Sequence, residues 1–288
     1  MRTSNLFHGN TMPPGRRAYL REMVELVTAD RPEVVCLQEV PAWALATVGE
    51  WAGMTAVADR TRRGRPFARR ITSLNPGFFR SAFNGQGNVI LLPVDATVRV
   101  HKTITLNTNP FCEEEGRKLG LDEGTTRRWQ RERRICQVVK AERPDRQRLL
   151  VANLHATGHA PDSRLADAEL RRAASFVDRQ SEVEEIVIFA GDFNVTEAQS
   201  RTIAALLDAP PESRWSAAGP NIDHVLVRGE SRRPSSGIAG SPATRSRTSG
   251  SLFVTSIASA SPLYGRMTPS ASNVCPSSDA VVILGYTG

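Results

Sequence analysis

The stretch EIVIFAGDFNVT, residues 185–196, constrains the chain most, because it passes abruptly from apolar to polar. Residues 186–190 form an unbroken apolar run rich in β-branched side chains, the pattern of a strand covered on both faces. Gly191 permits a close backbone approach, and Asp192 and Asn194 follow two apart. In an extended chain such residues project from one face, so a carboxylate and an amide are expected to point together beyond the strand end. The pair suits a metal ion, a phosphate or an activated water. It equally suits an Asx turn ahead of a helix beginning near Thr196.

The same design recurs along the chain. MRTSNLFHGN reads as a short strand ending at Asn5 to Gly9, and EVVCLQEV, residues 33–40, as an apolar strand ending in Gln38 and Glu39. GNVILL, residues 87–92, is a further strand, and residues 98–106 read as a half-exposed one. Residues 135–141 and 149–155 are strands, the second ending in Asn153 and His155, and NIDHVLVR enters a last strand through Asp223 and His224. Helical spacing predicts helices from about Pro14, from Pro41 through Trp51, and from Asp162 to Gln180. Thr196 and Gln199 have capping-box spacing for another, running to about Leu207. Residues 107–130 carry no usable motif. Interleaved strands and helices predict an α/β architecture with helices covering sheet faces.

A chain of 288 residues can bury a substantial core. After Gly229 the composition shifts: residues 231–288 hold 14 serines, five arginines, no lysine and one acid. We therefore expect a folded domain over 1–229 and a Ser-rich, low-order tail over 230–288. The net charge of +7 is clustered, with Arg60, Arg62, Arg63, Arg65, Arg69 and Arg70 in one stretch. A second cluster, Arg127, Arg128, Arg131, Arg133 and Arg134, surrounds Trp129. Such clusters are solvated faces or polyanion contacts. Cys36, Cys112, Cys136 and Cys275 lack paired or metal-ligand spacing, and Cys36 and Cys136 sit in apolar runs. No charged-then-apolar leader and no run of about 18 apolar residues is present, so a soluble, cytoplasmic protein is expected.

Taken in order, SNLFHG, CLQEV, GNVIL, VANLHATGH, FAGDFNV and NIDHVLV resemble the endonuclease/exonuclease/phosphatase family of deoxyribonuclease I-like phosphohydrolases. The resemblance implies a four-layer α/β/β/α sandwich of two mixed sheets with a cleft at one end. It also implies divalent-metal-dependent hydrolysis of a phosphoester or phosphodiester, nuclease-like, with Mg²⁺ or Mn²⁺ as cofactor. By resemblance Glu39 ligates the metal with Asn5 beside it, and Asp192 aligns or activates the attacking water. Asn194 then donates to a phosphate oxygen, and His155 stabilises the phosphate or protonates the leaving group. Asp223 helps to hold the metal or to orient a histidine. His8, His159 and His224 receive no role.

One departure stands out. Family members end in a Ser-Asp-His segment, whereas this chain has no histidine after His224 and carries Ser278-Asp279-Ala280. The resemblance thus implies an enzyme impaired by loss of its terminal base. Two other readings stay open: a catalytically lapsed phosphate- or nucleic-acid-binding domain of the same fold, and a basic nucleic-acid-binding module. Arginine richness favours nucleic acid over phospholipid or inositol phosphate as the substrate, and a monomer is expected.

Overall fold

The computed structural model describes residues 1–11, 15, 17–61, 70, 85–158, 162–211, 213–218 and 222–229. One sheet takes the order β1-β2-β4-β3, from β1 (Arg2–Asn5), β2 (Val35–Pro41), β3 (Thr55–Arg60) and β4 (Gln86–Leu92). The second takes the order β5-β6-β7-β8-β10-β9. Its strands are β5 (Thr97–Thr105), β6 (Ile135–Glu142), β7 (Arg148–His155), β8 (Glu185–Asp192), β9 (Ser216–Ala218) and β10 (Asp223–Arg228). Both sheets are mixed: β1 runs parallel to β2 and β7 parallel to β8, while the other pairs are antiparallel. The helices are α1 (Leu20–Thr28), α2 (Val48–Ala52), α3 (Asn109–Leu119), α4 (Glu123–Arg131), α5 (Arg164–Gln180) and α6 (Arg201–Leu207).

Strand alternation sorts the apolar side chains into layers. Between the sheets, Cys36, Ile90 and Leu92 meet Val139, Val151, Ile188 and Ala190. On the far face of the first sheet, Val35, Leu37, Val89 and Leu91 pack under Leu20, Val24 and Val27 of α1 and Val48 of α2. On the far face of the second, Val138, Leu150, Val187 and Phe189 receive Leu170, Ala173 and Val177 of α5 and Ile203 of α6. The result is the four-layer α/β/β/α sandwich. Strand β8 feeds two layers at once, Val187 and Phe189 outward and Ile188 and Ala190 inward, which is why its run is uninterrupted. Fully burying side chains of this size stabilises the fold by about 1.5–3 kcal/mol each.

A buried amide pair joins the sheets near the polar strand ends. Gln38 Nε2 donates to Asn153 Oδ1 at 2.8 Å and to Thr3 Oγ1 at 3.1 Å. Asn153 Nδ2 in turn donates to the carbonyls of Leu37 and Val89, both at 3.0 Å. These bonds fix how β2 and β4 sit over β7.

Several expected elements differ. The helix expected from about Pro14 is α1, which starts only at Leu20. The helix expected from Pro41 through Trp51 is reduced to Val48–Ala52, because β2 continues through Pro41, where the register pairs it with Gln86. Residues 107–130, featureless in sequence, form α3 and α4; their mean hydropathy is low, and they rest on a small apolar cluster of Cys112, Trp129, Leu165 and Ala168. The capping box at Thr196 heads a single 3-10 turn, Glu197–Gln199, and α6 is capped separately by Ser200. The tail 230–288, with Asp279 and Ala280, lies outside the described residues, as do His159 and Arg62, Arg63, Arg65 and Arg69.

Candidate active site

Strand register alone brings three polar residues to one edge. In the parallel pair β7–β8, Leu154 faces Gly191 and His155 faces Asp192; in the antiparallel pair β8–β10, Asp192 faces Asp223. Gly191 is required here. Its φ is +143°, and a Cβ there would lie 1.9 Å from the Leu154 carbonyl oxygen. The close approach expected from the sequence is thus to β7, and it sets His155 beside Asp192.

Glu39 arrives by a different device. In β2, Leu37 packs outward and Gln38 inward, so a regular strand would send Glu39 outward toward α1. The register instead shifts between Leu37 and Val40, and Glu39 adopts φ +53°. This bulge inserts one extra residue, returns Val40 to the outward layer and re-aims the carboxylate. Phe7, His8 and Asn194 also have positive φ, at +49°, +58° and +52°. Left-handed backbone at four non-glycine positions around one site is stored strain of the kind that functional sites concentrate.

The side chains converge on Asn5. Its Nδ2 donates to Asp192 Oδ2 at 2.9 Å and to Glu39 Oε1 at 3.3 Å, while its Oδ1 accepts from the Phe7 N–H at 2.9 Å. His155 Nε2 stands 3.8 Å from both Glu39 Oε1 and Asp192 Oδ2. His8 Nε2 lies 3.4 Å from Glu39 Oε2, so a histidine without an expected role lines the same site. Asp192 Oδ1 also accepts from the Asn194 N–H at 3.1 Å, so the Asx turn exists alongside the functional placement. Asn194 Nδ2 donates to the Ala156 carbonyl at 3.0 Å. Asp223 is buried at the head of β10. His224 is buried elsewhere in function: its Nε2 lies 2.8 Å from the Val195 carbonyl, and its ring lies against Phe193.

Arg134 is the main site residue that sequence reasoning missed. Its cluster divides in the structure: Arg127, Arg128, Arg131 and Arg133 are exposed, whereas Arg134 is 7 % exposed. Its Nη1 is 3.1 Å from both ring nitrogens of His155, a position reachable only over the ring face. Its Nη2 donates to Glu132 Oε2 at 3.0 Å, and Glu132 Oε1 accepts from Gln86 Nε2 at 3.1 Å. The available signal was position, since Arg134 immediately precedes the first residue of β6.

Burial sets the electrostatics. The Asp192 carboxyl is pushed up to about 6, first by burial and further by the Glu39 carboxylate, against the opposing hydrogen bond from Asn5. His155 is held well below the usual imidazole range by burial, then by Arg134 and His8, so it is neutral at pH 7. Two carboxylates sharing one amide donor form a hard, negatively charged oxygen site. Among the described residues no three His, Cys, Asp or Glu side chains form a preformed metal cage. The oxygens of Glu39, Asp192 and Asn5 are hard donors, of the type that Mg²⁺ accepts through one or two carboxylates while keeping much of its water. Among the described residues no helix is long and apolar enough to cross a membrane.

Comparison with solved structures finds the same sandwich at low identity. A functionally unknown conserved protein from Enterococcus faecalis V583 is 12% identical, with 79% of this chain and 86% of that chain covered at a TM-score of 0.50. The humanized D. rerio TDP2 is 15% identical over 74% of this chain and 76% of that chain, at a TM-score of 0.49. The human Nocturnin catalytic domain with bound sulfate is 13% identical over 72% of this chain and 74% of that chain, also at 0.49. No curated protein sequence matches the chain. Residues 3–261 match the Endonuclease/Exonuclease/phosphatase family, a span that holds every site residue above and continues past residue 229, and the chain belongs to that family.

Proposed function

We propose that the protein is a divalent-metal-dependent phosphoester hydrolase acting on a phosphodiester, with nucleic acid the favoured substrate. The observation that supports this reading is the convergence of two carboxylates, Glu39 on the β2 bulge and Asp192 at the end of β8, on the Asn5 amide, with His155 3.8 Å from both. Glu39 would hold Mg²⁺ or Mn²⁺ with Asn5 beside it, and Asp223 stands next to Asp192 to support the cation or orient a histidine. The bound cation supplies charge neutralisation at the phosphate oxygens.

The remaining work belongs to the chain itself. Asp192, with its carboxyl near 6, is ionised at neutral pH yet basic enough to take a proton from the attacking water. His155, neutral under Arg134, donates its N–H to a phosphate oxygen or to the leaving group, and Arg134 adds the positive charge that His155 lacks. Asn194 uses one amide hydrogen on Ala156, leaving the other for phosphate. The nucleic-acid preference rests on the exposed arginines 127, 128, 131 and 133, which run along α4 and the turn leading to Arg134.

A panel of a chromogenic phosphodiester, an oligonucleotide, a phospholipid and an inositol phosphate, each with Mg²⁺ and with EDTA, tests the reading. Turnover of the oligonucleotide that EDTA abolishes is the expected result; turnover indifferent to EDTA overturns it. The lapsed binder is the second reading, favoured by the lack of any histidine after His224. It predicts metal-dependent phosphate binding without turnover of the phosphodiester.

A further inference from the structure

Glu169 is an acid in the middle of the inner face of α5, between Ala166 and Leu170 and at 0 % exposure. An ionisable group so placed is strongly disfavoured unless its oxygens are hydrogen bonded. Both are. Oε1 accepts from Trp129 Nε1 at 2.6 Å and from Thr157 Oγ1 at 2.8 Å, and Oε2 accepts from the Thr157 N–H at 2.7 Å. None of the elements bonded is arbitrary. Thr157 lies two residues beyond His155, and Trp129 lies five before Arg134.

From this geometry we infer that Glu169 is a positioning residue of the active site: it clamps the two segments that carry His155 and Arg134 and so fixes how these two side chains stack. The inference rests on the phosphoester-hydrolase reading for its kinetic consequence. Two further sets of bonds make the clamp rigid. Asn107 Nδ2 donates to the carbonyls of Trp129 and Glu132 at 2.7 and 2.6 Å, and Asn107 Oδ1 accepts from the Arg134 N–H at 2.8 Å, so a pull on Trp129 is transmitted to Arg134. On the other side, the Ala156 N–H donates to the Asp192 carbonyl at 2.9 Å and its carbonyl receives Asn194, so Thr157 is tied to β8. Burial raises the Glu169 carboxyl, and the Trp129 hydrogen bond, the Arg134 charge and the Thr157 hydrogen bonds oppose that rise. In sequence, Glu169 reads only as an acid that interrupts a helical inner stripe.

Glu169→Gln keeps the volume but turns an amide N–H₂ or a single oxygen toward three donors, so at least one is left facing another donor. We expect the Mg²⁺-dependent kcat on a chromogenic phosphodiester to fall about tenfold with KM within twofold, the scale of a small misplacement of catalytic groups. Thr157→Val should do the same, and the double variant should be no worse than either single one, since the two act as a unit. Multiplying effects, or an unchanged kcat, overturn the clamp. Hydrogen exchange provides an arm independent of turnover. In Glu169→Gln the Ala156 and Arg134 amides, neither bonded to Glu169, should exchange at least tenfold faster, while the α5 amides of Leu170 and Ala173 keep their wild-type rates. Uniform acceleration, or none, shows that Glu169 only stabilises the fold and overturns the proposal. A wild-type chain without turnover overturns the hydrolase reading alone, and the exchange arm then decides the clamp.

Discussion

His155 and Asp192 are register partners on adjacent parallel strands, with Nε2 of one 3.8 Å from Oδ2 of the other. Parallel pairing holds that separation through backbone hydrogen bonds, independently of any ligand. Burial acts on both: it keeps the imidazole neutral and raises the carboxyl, so a donor stands beside an acceptor. Asp192→Asn and His155→Ala should each lower turnover by about 10²-fold or more, measured at saturating substrate and Mg²⁺. Both residues are buried, at 5% and 4% exposure, so His155→Ala should also lose about 1–2 kcal/mol in urea unfolding. A loss of activity no larger than the loss of folded protein contradicts the assignment.

The raised Asp192 carboxyl makes a signed prediction for stability. Its folded value, about 6, lies above the unfolded one, near 3.8, so the native state holds the extra proton between them. This contribution is fully present below pH 3.8 and is lost as pH rises through 6. In EDTA, urea midpoints of the wild type should therefore fall across that window relative to Asp192→Asn, which lacks the group. Parallel profiles for the two proteins contradict the shift.

Gly191→Ala tests the strand contact that sets the site. With φ +143° and the Leu154 carbonyl 1.9 Å from the new Cβ, β7 and β8 must separate. We expect a loss of more than about 3 kcal/mol, among the larger effects of a point substitution, read from the chemical-unfolding midpoint. A midpoint within error of wild type contradicts the register.

Asn153→Ala removes the amide that joins the sheets: Gln38 loses the shortest of its acceptors, and the buried Leu37 and Val89 carbonyls lose the Asn153 donor. The expected loss is about 2–3 kcal/mol, with turnover falling at the same time because Glu39 follows Gln38 directly. Thermal unfolding with circular dichroism measures the first effect and initial rates the second.

Much of the fold could be read from the strands. An uninterrupted run such as 186–190 must be covered on both faces, and in the structure its side chains feed two layers. The polar strand ends His155, Asp192 and Asp223 stand out for the same reason, as each bounds an apolar run, whereas Glu39, which reads as a strand end, lies on a bulge within β2. The rest depends on tertiary context. Nothing local predicts the bulge that turns Glu39, since the residue alone reads as outward-facing. Arg134 differs from Arg133 only by the parity of the strand that follows, and Glu169 has meaning only through Trp129 and Thr157. Helices α3 and α4 are polar enough that their small contact with Leu165 and Ala168 is invisible in sequence.

The most direct test of a metal-dependent site organised by Glu39 is the Mg²⁺ dependence of phosphodiester turnover, with calorimetric Mg²⁺ titration, in wild type and Glu39→Gln. Glu39 sits on the bulge with its side chain only 17% exposed and 3.8 Å from His155, so the substitution removes charge without emptying a core position. The expected result is at least a tenfold weaker Mg²⁺ affinity in Glu39→Gln, a matching rise in the Mg²⁺ concentration needed for half-maximal rate, and an unfolding midpoint close to that of wild type. Equal Mg²⁺ affinity in the two proteins, or a wild-type rate unaffected by EDTA, contradicts it.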